Sequence, residues 1–151
     1  MKYSYPLFIN LNGRDMIRAV NIPIYNVDVA FGWEITKEEL EDFIERNQER
    51  CSKEEIEGMR AFLGDYFFGL TKLFDNLNIV CFFKGVPTRN QIAHELYHVA
   101  YKICEPREIR DEEAMAYLVG YLTDVYYDVY QEANQAVIGT YTNNDRPVDE
   151  P

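Results

Sequence analysis

The distribution of apolar and polar positions changes period several times along the chain, and each change predicts an element boundary. Residues 5–32 carry β-branched and aromatic side chains punctuated by Asn-Gly, Pro and Asn, which predicts two or three antiparallel strands. Within them Asn12-Gly13 suits a hairpin turn, and Ile22-Pro23 marks an edge or a strand start. Thr36-x-x-Glu39 is a capping box that opens a helix to about Arg50. Ser52-x-x-Glu55 opens a second, whose stripe Ile56, Met59, Phe62, Leu63, Phe67, Leu70, Phe74 keeps a helical period to about Phe74. The period then breaks: residues 78–84 form a short β-rich run closed by Gly85-Val86-Pro87, read as a strand. Thr88-x-x-Gln91 is a third capping box, and Pro106 ends its helix near Cys104. Asp111 caps a last helix from Glu112 to about Asn134.

Together these elements predict an α+β fold: a small, mostly antiparallel sheet from the N-terminal half and the strand near residue 80, with packed helices. The expected organisation is a single domain over residues 1–138, followed by a polar tail at 139–151 with little to hold it in place. A length of 151 residues and 47% hydrophobic content suffice for a packed core. The tyrosines near the C-terminus, among them Tyr121, Tyr126, Tyr127 and Tyr130, read as packing residues of an amphipathic helix.

Charge narrows the range of partners. The net charge is −11, and the 15 basic residues are scattered without a run, which argues against nucleic acid and anionic membrane surfaces. The longest apolar run, residues 114–122, is well short of the ~20 residues that span a bilayer. The N-terminus, with one lysine and an apolar stretch soon broken by Asn10, Asn12 and Arg14, does not read as a signal peptide. Three widely spaced cysteines (Cys51, Cys81, Cys104) suit free thiols in a reducing cytosol, so a cytoplasmic location is expected.

Chemistry concentrates in one window. Both histidines of the chain lie in His94-Glu95-Leu96-Tyr97-His98. Only about 1.3% of residue pairs in a chain this long are four apart, and requiring a glutamate right after the first lowers that about tenfold, so chance is a poor rival. On a helix this spacing puts both imidazoles on one face a turn apart, close enough to share a metal ion. Glu95 is then placed to act on a metal-bound water rather than to bind the metal. A catalytic zinc site usually has three protein ligands, so a carboxylate or thiolate must join. Asp111-Glu112-Glu113, at the head of the last helix, is the best region. Glu113 shares a face with Ala116, Tyr117, Gly120 and Asp124, and the Ala116/Gly120 pair would let two helices approach closely, so Glu113 is preferred over Glu112.

His94-Glu95-Leu96-Tyr97-His98 followed by Glu113-Ala114-Met115-Ala116-Tyr117 resembles the gluzincin pattern, H-E-x-x-H with a downstream E-A. The short gap and single small domain are similar to minigluzincins and ImmA/IrrE-type metallopeptidases, and to small zincin-like proteins carried by phages and mobile elements. The resemblance spans residues 79–122 and leaves residues 1–78 unmatched. It implies a zinc cofactor held by His94, His98 and Glu113, with Glu95 as the general base. It also implies that residues 79–83 are the edge strand along which an extended peptide binds. The oxyanion-stabilising residue of the pattern has no clear counterpart, Tyr117 and Tyr121 being the nearest candidates. The expected function is that of a zinc-dependent metallopeptidase hydrolysing peptide bonds of an intracellular polypeptide. The alternative is a zinc-stabilised peptide- or protein-binding module, with a deformylase-like hydrolase last because the Gly-Cys segment it would need is missing.

Overall fold

Strands β1 (Ile17–Ile22) and β2 (Val27–Gly32) pair antiparallel across a tight turn in which Asn26 adopts a left-handed conformation, φ 49°. This begins the part of the chain described by a computed structural model, which covers residues 16–64, 68–75 and 78–144. The expected hairpin turn at Asn12-Gly13 and the last residues of the expected tail, 145–151, lie outside it. After β2 come α1 (Lys37–Asn47) and α2 (Lys53–Phe62), then β3 (Gly69–Asp75), β4 (Asn78–Phe83), α3 (Arg89–Cys104) and α4 (Glu112–Asn144). The sheet order is β1-β2-β4-β3, with β4 parallel to β2 and antiparallel to β3. The fold is thus α+β, with a mixed, mostly antiparallel sheet, as the sequence pattern predicts.

Helices cover both faces of the sheet, and the pleat of β4 divides the core between them. Val80 and Phe82 face α1 and α2, packing with Leu40, Phe43, Ile44, Met59 and Phe62. Ile79, Cys81 and Phe83 face α3 and α4, packing with Leu96, Val99, Ile103, Leu122 and Tyr126. Each of the three capping boxes forms as read, with Thr36, Ser52 and Thr88 accepting from the third helical N–H and Glu39, Glu55 and Gln91 reaching back. In α4, Asp111 Oδ1 accepts from the Ala114 N–H at 2.8 Å. Its buried residues Leu118, Leu122, Val125, Tyr126, Val129 and Ala133 keep the helical stripe. The Trp33 indole donates to the Tyr126 hydroxyl at 2.9 Å, tying α4 to the segment after β2.

Two expectations fail in this region. The second helix does not run to Phe74: α2 ends at Phe62, and positions 70 and 74 of the stripe belong to β3. Leu70 and Phe74 are four apart, a spacing that also puts two side chains on one face of a strand, so the stripe fits either element. Pairing with β4 decides for the strand. The last helix in turn does not stop near Asn134 but continues to Asn144. Among the described residues no helix is long and apolar enough to cross a membrane, and Cys51, Cys81 and Cys104 form no disulfide with one another.

Candidate functional site

Helix α3 sorts its side chains by depth. Ile92, Leu96, Val99, Ala100 and Ile103 are buried against the sheet, which fixes the helix's rotation. That rotation leaves His94 and His98 exposed on the flank and turns Glu95 inward beneath β3. The two imidazole Nε2 atoms lie 3.1 Å apart, with ring centroids separated by 4.7 Å and ring planes at 78°. Two imidazoles sharing a tetrahedral zinc, with Zn–N bonds of about 2.0–2.1 Å, would hold their nitrogens about 3.3 Å apart. The pair is therefore within a few tenths of an ångström of the arrangement a shared metal needs. It is equally at the separation of an N–H···N hydrogen bond between rings of opposite tautomer.

Glu95 is 7% exposed. The Thr71 hydroxyl of β3 donates to Glu95 Oε2 at 2.5 Å. Two residues earlier on the same face of the strand, a Cβ built on Gly69 would sit 2.5 Å from Glu95 Oε1, so glycine lets the strand pass this close. Thr71 stands opposite Cys81 in the β3–β4 register. Burial pushes the Cys81 thiol far above the usual range, with the Glu95 charge adding to the rise and a hydrogen bond to Thr71 opposing it. Cys81 consequently stays protonated and leaves the polar chemistry of this spot to Glu95.

The surroundings form an open cleft of about 480 Å³. Its walls are α2 (Gly58, Ala61, Phe62) and α3 (His94, Glu95, His98, Lys102), and β3 (Gly69, Leu70, Thr71, Lys72) runs between them. A smaller depression lined by Phe68, Asn90 and Gln91 shares Gly69, His94 and Glu95 with it and extends it past the start of β3. Strand β3 is at the sheet's edge, pairing only with β4 among the described residues. Residues 79–83, which the resemblance makes the edge strand, are instead interior, between β2 and β3. Their continuous burial fits a strand covered on both faces.

The structure brings His94, Glu95 and His98 together but does not bring Glu113 to them. Among the described residues no group of three or more histidine, cysteine, aspartate or glutamate side chains gathers to hold a metal ion. Glu113 is exposed, as are Ala116, Tyr117, Gly120 and Asp124 on the same face of α4. A Cβ at Gly120 would meet nothing within 4 Å, so the expected close approach of two helices through Ala116 and Gly120 does not occur. α4 packs through its large apolar residues instead. Glu112 is also exposed and lines a separate depression with Tyr97, Tyr101 and Met115 rather than the histidine cleft. Neither Tyr117, 78% exposed, nor Tyr121, packed on the core, lines the cleft.

Sequence reasoning missed Gly69, Thr71 and Lys72 because it placed them in a helix. The signal was present: Gly64 and Gly69 both interrupt the supposed helix, and glycines inside a helical pattern weaken it. No protein-family model, curated protein or solved structure matches this chain.

Proposed function

We propose that this chain is a gluzincin-like, zinc-dependent metallopeptidase that hydrolyses peptide bonds of a polypeptide substrate in the cytoplasm. The observation that carries the reading is the pairing of His94 and His98 with Glu95, whose carboxylate is buried and held by Thr71 beside the open edge of β3. The two imidazoles suit a shared zinc in their separation. Among the described residues they are one donor short of the three protein ligands that catalytic zinc sites use, and Glu113 is not beside them. A bound zinc would supply Lewis acidity, polarising the scissile carbonyl and acidifying a water.

The remaining work belongs to side chains and backbone of this chain. Strand β3, which pairs only with β4 among the described residues, can take an extended polypeptide by strand addition, which fixes its direction and register in the cleft. The Glu95 carboxylate, at the bottom of the cleft, can accept a proton from the attacking water and return it to the leaving amine. The Thr71 hydroxyl restrains one carboxylate oxygen and leaves the other free for that transfer. Three neutral neighbours, Gly69, Leu70 and Phe62, keep the cleft floor partly apolar and favour an extended backbone over bulk water.

A second reading is a zinc-stabilised peptide-binding module. The two-donor metal set favours it, because that set serves capture more readily than turnover. Replacing Glu95 by Gln separates the two. The zinc-supplemented protein is incubated with an unfolded protein substrate, and new N-termini are counted. The peptidase reading expects hydrolysis by the native protein and its loss in Glu95→Gln with zinc retained. Equal hydrolysis by both proteins contradicts the role given to Glu95, and none by either favours the binding module.

A further inference from the structure

The cleft carries a charge opposite to that of the molecule. The chain has 26 acidic and 15 basic residues, yet among the described residues the only acid lining the cleft is the buried Glu95, whereas Lys72 and Lys102 both line it beside the two histidines. The lysines come from opposite sides. Lys102 follows His98 by four residues and so extends the His94–His98 row by one more turn of α3. Lys72 alternates away from Thr71, and its ammonium lies 3.7 Å from where a Cβ on Gly58 of α2 would stand. Both are half-buried, and neither has a salt-bridge partner among the described residues.

We infer that this cleft selects an acidic, extended polypeptide, with Lys72 or Lys102, whichever its register faces, holding the carboxylate of an aspartate or glutamate side chain near the bond facing Glu95. The inference rests on the cleft being a polypeptide site, which the peptidase and the binding-module readings share. Strand addition to β3 directs successive substrate side chains alternately toward the α2 wall and the α3 wall. A lysine on each wall lets a carboxylate side chain meet an ammonium whichever wall its register faces. Beyond about 8 Å the molecule's negative charge is largely screened at physiological salt, so the groups lining the cleft, two ammonium groups against the one Glu95 carboxylate, set the field inside it. A basic segment would instead face two lysines of like charge, and a neutral one would offer them no carboxylate.

The test uses decapeptide mixtures with acetylated and amidated ends, randomised except for one position fixed as Glu, Gln or Lys. Their binding to zinc-supplemented Glu95→Gln protein is followed by fluorescence anisotropy, and their cleavage by the native protein is followed in parallel. At one fixed position the Glu mixture is expected to bind about tenfold more tightly than the Gln mixture. Lys102→Ala together with Lys72→Ala abolishes that preference, and Lys102→Glu, a single change on a half-exposed helix position, turns it toward Lys. Circular dichroism of each variant verifies that it is folded. Equal binding of Glu and Gln mixtures at every position, no binding of any mixture, or a preference that survives the double substitution overturns the inference. A parallel set of the same mixtures with a free C-terminal carboxyl is measured beside them, and a response from that set alone overturns the assignment to a side-chain carboxylate. Cleavage without Glu preference overturns this inference alone. Glu-selective binding without cleavage by the native protein leaves it standing and overturns the peptidase reading.

Discussion

Glu95 shows how one residue's role is set by two neighbours far from it in sequence. Its position in the motif is legible in the sequence, but its burial and its partners come from β3: Thr71 through a hydrogen bond and Gly69 by having no side chain. A hydrogen bond to a charged group contributes about 1.5–3 kcal/mol, most of it felt here as orientation of the carboxylate. Thr71→Val keeps the shape and removes the donor. Under the peptidase reading it lowers kcat/KM about ten- to a hundredfold while leaving zinc content unchanged. Steady-state kinetics alongside metal analysis checks this, and an unchanged kcat/KM would remove Thr71 from the machinery. The histidine pair was readable because both rings ride on one helix, where spacing alone fixes their relation. The place of Glu113 was not, because it depends on the rotation of a second helix about its own axis.

At the scale of elements, the same contrast separates what local sequence encodes from what pairing decides. The capping boxes at Thr36, Ser52 and Thr88 are complete within four residues, and all three helices start where those signals place them. The stretch from Gly69 to Asp75 has no such signal: its four-residue apolar spacing suits helix and strand alike, and only register with β4 settles it. The rotation of α4 was misread for a related reason. Small residues at Ala116 and Gly120 suggested a contact face, but Leu118, Leu122, Val125 and Tyr126 bury more apolar area and turn that face to solvent. Helix α3 holds the site, so its first turn is the element to perturb. Thr88→Ala removes a hydroxyl that accepts from the Gln91 N–H at 3.2 Å and should cost about 1 kcal/mol. Urea denaturation checks that value. No change in midpoint would mean that the box contributes nothing to α3.

The described part of the molecule is a four-stranded sheet clasped between two helical layers, with the candidate site beside β3, the edge strand among those residues, rather than in the sheet's centre. The layer formed by α3 and α4 is tied to the sheet by an aromatic cluster in which Tyr126 meets Phe31, Trp33 and Phe83 at ring-centroid distances of 5.5, 5.8 and 6.0 Å. Tyr126→Phe keeps the packing but strands the Trp33 N–H in the core, at a cost of about 1–3 kcal/mol. A urea or thermal melt of that variant should show a lower midpoint with no loss of zinc, since Tyr126 lies outside the cleft. Loss of zinc would mean that the rotation of α3 depends on this distant bond.

The account stands or falls on whether His94 and His98 share a metal ion. The direct measurement is elemental analysis of protein purified without added metal, beside a His98→Ala control prepared in parallel. The account predicts close to one zinc per native chain and almost none in the control. Equal, substoichiometric metal in both would reduce the 3.1 Å contact to a hydrogen bond between two surface rings.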